Sequence, residues 1–322
     1  MFIPFNGCPH RCSFCDQRSI TGMAYQPTPD DVRSAIEAAV NSLKENTCRS
    51  EIAFFGGSFT AIDRDYMLSL LDATTPYIER FKGIRISTRP DAIDDEILRL
   101  LKSYRVTSIE LGAQSMSDTV LAANDRGHTA EDVTKAAALI QRYDMELGLQ
   151  MMTGLYQSTE ELDRKTAEEF IRLRPATVRI YPTIVMRHTR LGELYESGAY
   201  QPQTLDEAVT LCAELITLFE DSDIKVIRVG LHDTPTLHKD MLAGPYHPAF
   251  RELCESRRML TKAIRLLQDK PQGSYTIAVH PKSRSKMTGN KKANLIALKD
   301  KGFQITITEN DKLSENDVII LN

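Results

Sequence analysis

The sequence predicts an α/β fold: a partial (β/α)6, TIM-like barrel followed by a small C-terminal α+β domain. Three observations point that way. Short apolar runs alternate six times with stretches of helical period, and parallel strands need such crossovers. Runs such as Ile52-Ala-Phe-Phe55 lack polar alternation, as strands buried on both faces do. Polar and glycine residues gather where the strands end, at Gly56-Gly57-Ser58, Thr88-Arg89-Pro90-Asp91, Gly112-Ala113-Gln114-Ser115 and Thr153-Gly154. In parallel α/β folds that end of the sheet binds ligands.

Phe2–Phe5 reads as a first short strand. Thr28-Pro29-Asp30-Asp31 starts a helix, with Thr as N-cap, Pro in the first turn and acids at the positive dipole end. Val32, Ile36, Ala39, Val40 and Leu43 form its apolar stripe. Strands follow at Glu51–Phe55, Ile84–Ser87, Ser108–Leu111, Glu146–Met151 and Thr177–Tyr181, with a further one at Lys225–Val229. Between them the pattern gives a helix carrying Met67, Leu70, Leu71 and Tyr77, then helices at Asp94–Tyr104, Asp118–Ala123, Ala130–Tyr143, Thr159–Leu173, Leu191–Ser197 and Leu205–Glu220. Asp233-Thr-Pro235 and Gly244-Pro-Tyr-His-Pro248 suggest a change of domain, dividing the chain into a barrel (1–235) and a C-terminal part (236–322). The latter opens with a helix at Ala249–Gln268. Strands at Tyr275–Val279, Gln304–Thr308 and Val318–Leu321 and a helix at Ala293–Lys299 complete it.

The 322 residues carry a formal charge of −4, which predicts no general affinity for nucleic acid or membrane. Met1–Phe5 is too short for a signal peptide or membrane span and is broken by Pro4. Six cysteines, three of them crowded together, fit a metal site in a reducing cytoplasm better than a disulfide framework.

The chemistry centres on Asn6-Gly-Cys-Pro-His-Arg-Cys-Ser-Phe-Cys-Asp16. No regular strand or helix aims Cys8, Cys12 and Cys15 at one point, so this stretch is a loop around a metal centre. Iron–sulfur clusters and zinc both use such loops, normally with four protein ligands. Three thiolates leave one position open, as catalytic sites do; a zinc knuckle completed by His10 or a distant ligand is the alternative. Cys48, Cys212 and Cys254 are scattered and read as small core residues, Met151-Met152 as core, and His128 and His188 as surface or capping residues.

The Cys spacing, with Phe14 before the last thiol, resembles the cluster loop of the radical S-adenosylmethionine (radical SAM) enzymes, and the resemblance covers roughly the first 230 residues. It implies that Cys8, Cys12 and Cys15 hold a 4Fe–4S cluster, and that S-adenosylmethionine chelates the open iron through its amino and carboxylate groups. Gly56-Gly57-Ser58 falls where the family has Gly-Gly-Glu at the methionine amino group, with Ser58 replacing the acid. Ser87-Thr88-Arg89 and Glu110-Leu-Gly-Ala-Gln-Ser115 fall where the family contacts ribose and carboxylate, which makes Ser87, Arg89, Glu110 and Gln114 cofactor candidates. Read from the residues alone, Arg89 and Glu110 serve equally well as structural ion-pair partners.

Glu110-Leu-Gly-Ala-Gln-Ser115, Arg126-Gly-His-Thr129, Met151-Met-Thr-Gly-Leu155, Ile180-Tyr-Pro-Thr183 and Gly198-Ala-Tyr-Gln-Pro202 are similar to the radical SAM half of the Elongator catalytic subunit, a family that modifies wobble uridine in transfer RNA. The Cys spacing differs from that family's longer one, and the residues after 235 are too few for its acetyltransferase fold. The resemblance therefore implies a shorter bacterial relative without acetyl-CoA chemistry. Lys282, Arg284, Lys286, Lys291 and Lys292 stand without an acid between 282 and 292. Their turn, Thr288-Gly-Asn-Lys-Lys292, resembles the RNA-clamping loop of K-homology modules, though only Gly289 is present. The expectation is an oxygen-sensitive cytoplasmic radical SAM enzyme acting on RNA, with transfer RNA preferred and an external electron donor. A tetrapyrrole or other small molecule is the alternative substrate, since the barrel is also similar to oxygen-independent coproporphyrinogen oxidases. A non-catalytic, zinc-stabilised RNA-binding protein is the alternative from another class.

Overall fold

The computed structural model describes residues 1–4, 12–15 and 25–321; Phe5, Cys8 and His10 lie outside these. The contacts divide the chain into two units, one of Met1–Gln203 with Phe219–Pro245, the other of Thr204–Leu218 with Tyr246–Asn322.

The first unit is built on seven parallel strands: β1 (Phe2–Ile3), β2 (Glu51–Gly56), β3 (Gly83–Thr88), β4 (Val106–Gln114), β5 (Glu146–Thr153), β6 (Thr177–Pro182) and, after a two-residue β7 (Val185–Met186) outside the sheet, β8 (Lys225–Val229). They pair in chain order, β1-β2-β3-β4-β5-β6-β8, as a curled half-barrel. The crossovers are helical: α1 (Pro29–Leu43), α2 (Arg64–Asp72), α3 (Asp95–Ser103), α4 (Asp118–Ala123), α5 (Ala130–Arg142), α6 (Glu160–Leu173), α7 (Arg190–Glu196) and α8 (Leu205–Glu220). Thr28 caps α1 through a reciprocal pair with Asp31, as its sequence predicts. Tyr77 falls beyond α2, which ends at Asp72. A helix α9 (Pro235–Asp240) leads to β9 (Met241–Ala243), which pairs with β7; neither short strand has a sequence signal of its own.

Every β3 residue is buried, and Phe54, Ile84, Ile86, Ile109 and Leu111 are fully so. The opposite faces of these strands line a polar lumen. Glu110 accepts two hydrogen bonds from Arg179 (2.6 and 2.9 Å), one from Gln150 (3.0 Å) and one from Arg85 (3.4 Å). Arg85 also reaches Glu51 (2.8 Å) and Glu146 (2.6 Å). Arg179 lies 5.0 Å above the Phe55 ring. Gly148 stands opposite Glu110, and a Cβ there would lie 2.7 Å from the Glu110 Cγ. The glycine makes room for the acid.

The second unit joins α8 to α10 (Phe250–Leu267), β10 (Gly273–Val279), α11 (Arg284–Thr288), α12 (Ala293–Asp300), β11 (Phe303–Glu309) and β12 (Val318–Ile320). Its sheet runs β11-β10-β12, with β10 parallel to β11 and antiparallel to β12. Met259, Ala263, Leu267, Ile277, Val279, Met287, Leu298 and Val318 form its core. Sequence suggests a single boundary at 235. The contacts place 204–218 with the later unit because Arg257 bonds Thr210 and Asp206 of α8, and Arg258 bonds Thr217 at 3.0 Å. Cys212 and Cys254 are buried as expected, but Cys48 is exposed, its thiol against the Glu45 carbonyl at 3.3 Å.

Two stability predictions follow from buried carboxyls. Changing Glu110→Gln leaves Arg179 with no carboxylate and should cost about 3–5 kcal/mol, read as a lowered denaturation midpoint of the metal-free protein. Asp163, in the first turn of α6, accepts from Gly154 N (2.9 Å) and Ser158 Oγ (2.6 Å), and burial raises its pKa from 3.8 to about 6. Between those values the folded chain holds the extra proton, so stability falls as pH rises through that window and levels off above it. The Asp163→Asn protein lacks this fall. Its unfolding free energy relative to the parent should shift by about 3 kcal/mol between pH 4 and 7, measured by urea titration at each pH.

Candidate metal and cofactor site

The described part of the cysteine loop, Cys12–Cys15, is held by the turn that follows α4. Ser13 is fully buried; its N–H donates to the Asn124 carbonyl (3.1 Å) and its Oγ to Asn124 Oδ1 (2.8 Å). The Asn124 amide in turn donates to the carbonyls of Val120 (2.8 Å) and Tyr156 (2.9 Å). On the other side, Leu191 N–H of α7 donates to the Ser13 carbonyl (2.8 Å). Cys15 N–H turns back to the Cys12 carbonyl at 3.1 Å, and Phe14 packs against Val185, Leu191 and Tyr200. Cys12 is buried and Cys15 half-buried. Among the described residues no group of three or more Cys, His, Asp or Glu forms a metal site; Cys8 and His10 are not among them.

Two residues further on, buried Arg126 reaches the cysteine. Its Nη1 donates to Cys12 Sγ at 3.0 Å, its Nη2 donates to the Gly112 carbonyl at the end of β4, and the guanidinium lies 5.9 Å from the Phe14 ring centroid. The Arg126 carbonyl accepts from Arg89 Nη2 (2.5 Å), while Arg89 also forks onto Asp91 (2.9 and 3.1 Å). His128 is buried, contrary to the surface or capping position expected for it, because the turn carries it under the end of β4 with Nε2 3.2 Å from the Ala113 carbonyl. Burial, then the charges of Arg126 and Arg89, push its pKa down to about 4. The ring is therefore neutral at pH 7. If Nε2 carries the proton to that carbonyl, Nδ1 is left as an acceptor. His188 is exposed, as expected.

Among the described residues, the buried polar atoms Arg89 Nη1, Gln114 Oε1, Arg126 Nε and His128 Nδ1 have no hydrogen-bond partner. Buried polar atoms are rarely left so, and a cluster of them marks a place for a polar ligand.

The other candidates have different settings. Gly56 has φ +126°, and a Cβ there would lie 2.2 Å from the Ile3 carbonyl oxygen; Gly57 N–H donates to that same oxygen at 2.9 Å. The close approach of β1 thus accounts for the glycine at 56. Ser58 is fully buried and joins strand ends, with Thr88 Oγ1 at 2.8 Å and Arg89 N–H at 3.1 Å. Ser87 Oγ accepts from Gln150 (3.1 Å) and, with Glu110, lines the lumen. Thus the structure brings Cys12, Phe14 and Arg89 together through Arg126, sets Gln114 just beyond Gly112 on β4, and engages Ser87 and Glu110 with Gln150. In sequence, Arg126 is signalled by the Arg126-Gly-His-Thr129 match alone and Asn124 by nothing, because turn residues more than a hundred positions from the cysteines show no spacing relation to them.

The radical SAM superfamily matches residues 2–169, and the radical SAM C-terminal domain family matches residues 175–262. The tRNA uridine(34) acetyltransferase of Dehalococcoides mccartyi (strain CBDB1) is 25% identical over 294 residues, 80% of this chain and 64% of that protein. Elongator complex protein 3 of Homo sapiens is 30% identical over 201 residues, 56% and 37% of the respective chains. Among solved structures, archaeal Methanocaldococcus infernus Elp3 with an N-terminal deletion superimposes with a TM-score of 0.63 at 22% identity, covering 76% of this chain and 62% of that one. The matched region spans less than two thirds of each of these relatives. No helix among the described residues is long and apolar enough to cross a membrane. With the superfamily match running through the cysteine loop and five of the seven sheet strands, the chain belongs to the radical SAM superfamily, whose enzymes work with a 4Fe–4S cluster and S-adenosylmethionine.

Proposed function

We propose that the protein is a radical SAM enzyme that modifies RNA, with transfer RNA as its preferred substrate. The observation that carries the chemistry is the grip of the Asn124–Arg126 turn on Cys12–Cys15 beside polar atoms without a partner among the described residues. The residues present fit the cofactors. A buried guanidinium on Cys12 Sγ suits a thiolate-bound, negatively charged cluster, with Cys8, Cys12 and Cys15 as its ligands. Arg89 Nη1 offers a donor for a carboxylate, and Gln114 Oε1 and His128 Nδ1 offer acceptors for amino or hydroxyl groups. The superfamily match favours this cluster over zinc with four protein ligands.

Held by Cys8, Cys12 and Cys15, a reduced 4Fe–4S cluster would supply the electron for reductive cleavage of S-adenosylmethionine. This chain's residues hold Cys12–Cys15 through Ser13 and pack Phe14 on the Val185 cluster.

The RNA reading rests on the names of the relatives and on the second unit. Of the five cations expected to meet RNA, Lys282 is held by Glu315 (2.9 Å) and Arg284 by Glu309 (3.2 Å). Lys286, Lys291 and Lys292 have no ion pair among the described residues, which leaves three cations for phosphate. Lys291 and Lys292 both adopt positive φ, +49° and +66°, in the turn from Gly289. A Cβ on Gly289 would lie 2.8 Å from Asn294 N, and the buried Asn294 side chain ties the turn down through the Ser256 and Lys286 carbonyls at 3.0 Å. A pinned turn with two adjacent lysines presents charge at little entropic cost.

Protein reconstituted without oxygen should bind about four irons and form 5′-deoxyadenosine from S-adenosylmethionine on reduction. Both should disappear in Cys12→Ala. Zinc without iron, and no cleavage, would overturn the enzyme reading. Converting Lys286, Lys291 and Lys292 to Ala together should weaken transfer RNA binding and flatten the slope of log affinity against log salt by about two units, at roughly 0.7 per contact. An unchanged slope would remove RNA docking from this unit.

A further inference from the structure

We propose that Arg126 is a positioning residue for the cluster: its hydrogen bond to Cys12 Sγ makes the cluster easier to reduce. The proposal rests on the radical SAM reading with Cys12 as a ligand, and three observations carry it. Arg126 is buried, 6% exposed, yet no carboxylate pairs with it among the described residues. Its acidic neighbour Asp125 is taken by Arg190 at 2.5 Å, and the nearby Asp91 by Arg89. A buried cation without an anion is strongly disfavoured, so the site calls for negative charge beside it. The group it touches is Cys12 Sγ at 3.0 Å, and a cluster held by thiolates supplies that charge.

The guanidinium is also fixed in place. Nη2 is bound to the Gly112 carbonyl, Phe14 lies beside the guanidinium, and the Arg126 carbonyl is held by Arg89 Nη2. Ser13 and Asn124 lock the cysteine loop against the same turn, so sulfur and donor cannot drift apart independently. One-electron reduction adds negative charge to the cluster. An N–H donor and a full positive charge at a ligand sulfur stabilise the reduced form more than the oxidised one, and hydrogen bonds to sulfur are an established lever on such potentials.

The test is a reductive titration followed by electron paramagnetic resonance on anaerobically reconstituted full-length protein, without S-adenosylmethionine, after iron and sulfide have been counted. Arg126→Gln should make the equilibrium for accepting the electron at least tenfold less favourable, 59 mV more negative for a one-electron couple, at unchanged iron content. A loaded Arg126→Gln protein at the parent potential overturns the proposal. Should that variant bind no iron, parent protein labelled with 15N-arginine decides the matter. Arginine nitrogen and exchangeable-proton couplings to the reduced cluster's spin are expected, and their absence overturns the proposal. A parent protein that binds no iron overturns the radical SAM reading itself, and this proposal with it.

Discussion

The four hydrogen bonds converging on Glu110 set the interior of the first unit. A carboxylate at 1% exposure is tolerable only when its lone pairs are occupied, and Arg179, Arg85 and Gln150 occupy them. That requirement propagates. Gly148 must lack a side chain, Arg85 must be shared with Glu51 and Glu146, and Arg179 is drawn over Phe55. These bonds tie together side chains of β2, β3, β4, β5 and β6, parallel strands whose carboxyl ends form one rim.

The cysteine loop is attached to that rim by a short connection. The six-residue α4 is capped by Ser117 and ends at Asn124, and three successive residues then do different work. Asn124 takes Ser13, Asp125 takes Arg190 of α7, and Arg126 takes Cys12 and Gly112. Backbone and side-chain bonds together fix Cys12–Cys15 against this turn. A metal site built on a loop needs such outer support for its ligands to hold their positions.

Charge is distributed unevenly between the units' candidate surfaces. In the lumen most cations are matched by carboxylates. At Arg126 and at Lys286, Lys291 and Lys292 no carboxylate pairs among the described residues. The first deficit is buried; in the second, Lys291 and Lys292 are exposed and Lys286 is half-buried.

The sequence by itself determined the alternation of strands and helices, down to the Thr28 cap, the Lys225–Val229 strand and the α8 span, because these follow from local periodicity and capping chemistry. The crowded cysteines likewise carry the family resemblance, which the superfamily match over residues 2–169 bears out. Only the tertiary structure decided which polar residues share a neighbourhood. Glu110 and Arg89 read equally well as ligands or ion-pair partners in sequence, and folding gives both of them ion-pair partners. It buries His128, exposes Cys48 and gives two of the five clustered cations to Glu315 and Glu309. It also joins Asn124 and Arg126 to Ser13 and Cys12 across more than a hundred residues. Periodicity reports which face of an element is apolar, whereas the partner of a buried polar atom depends on register and crossover geometry, which no local pattern encodes.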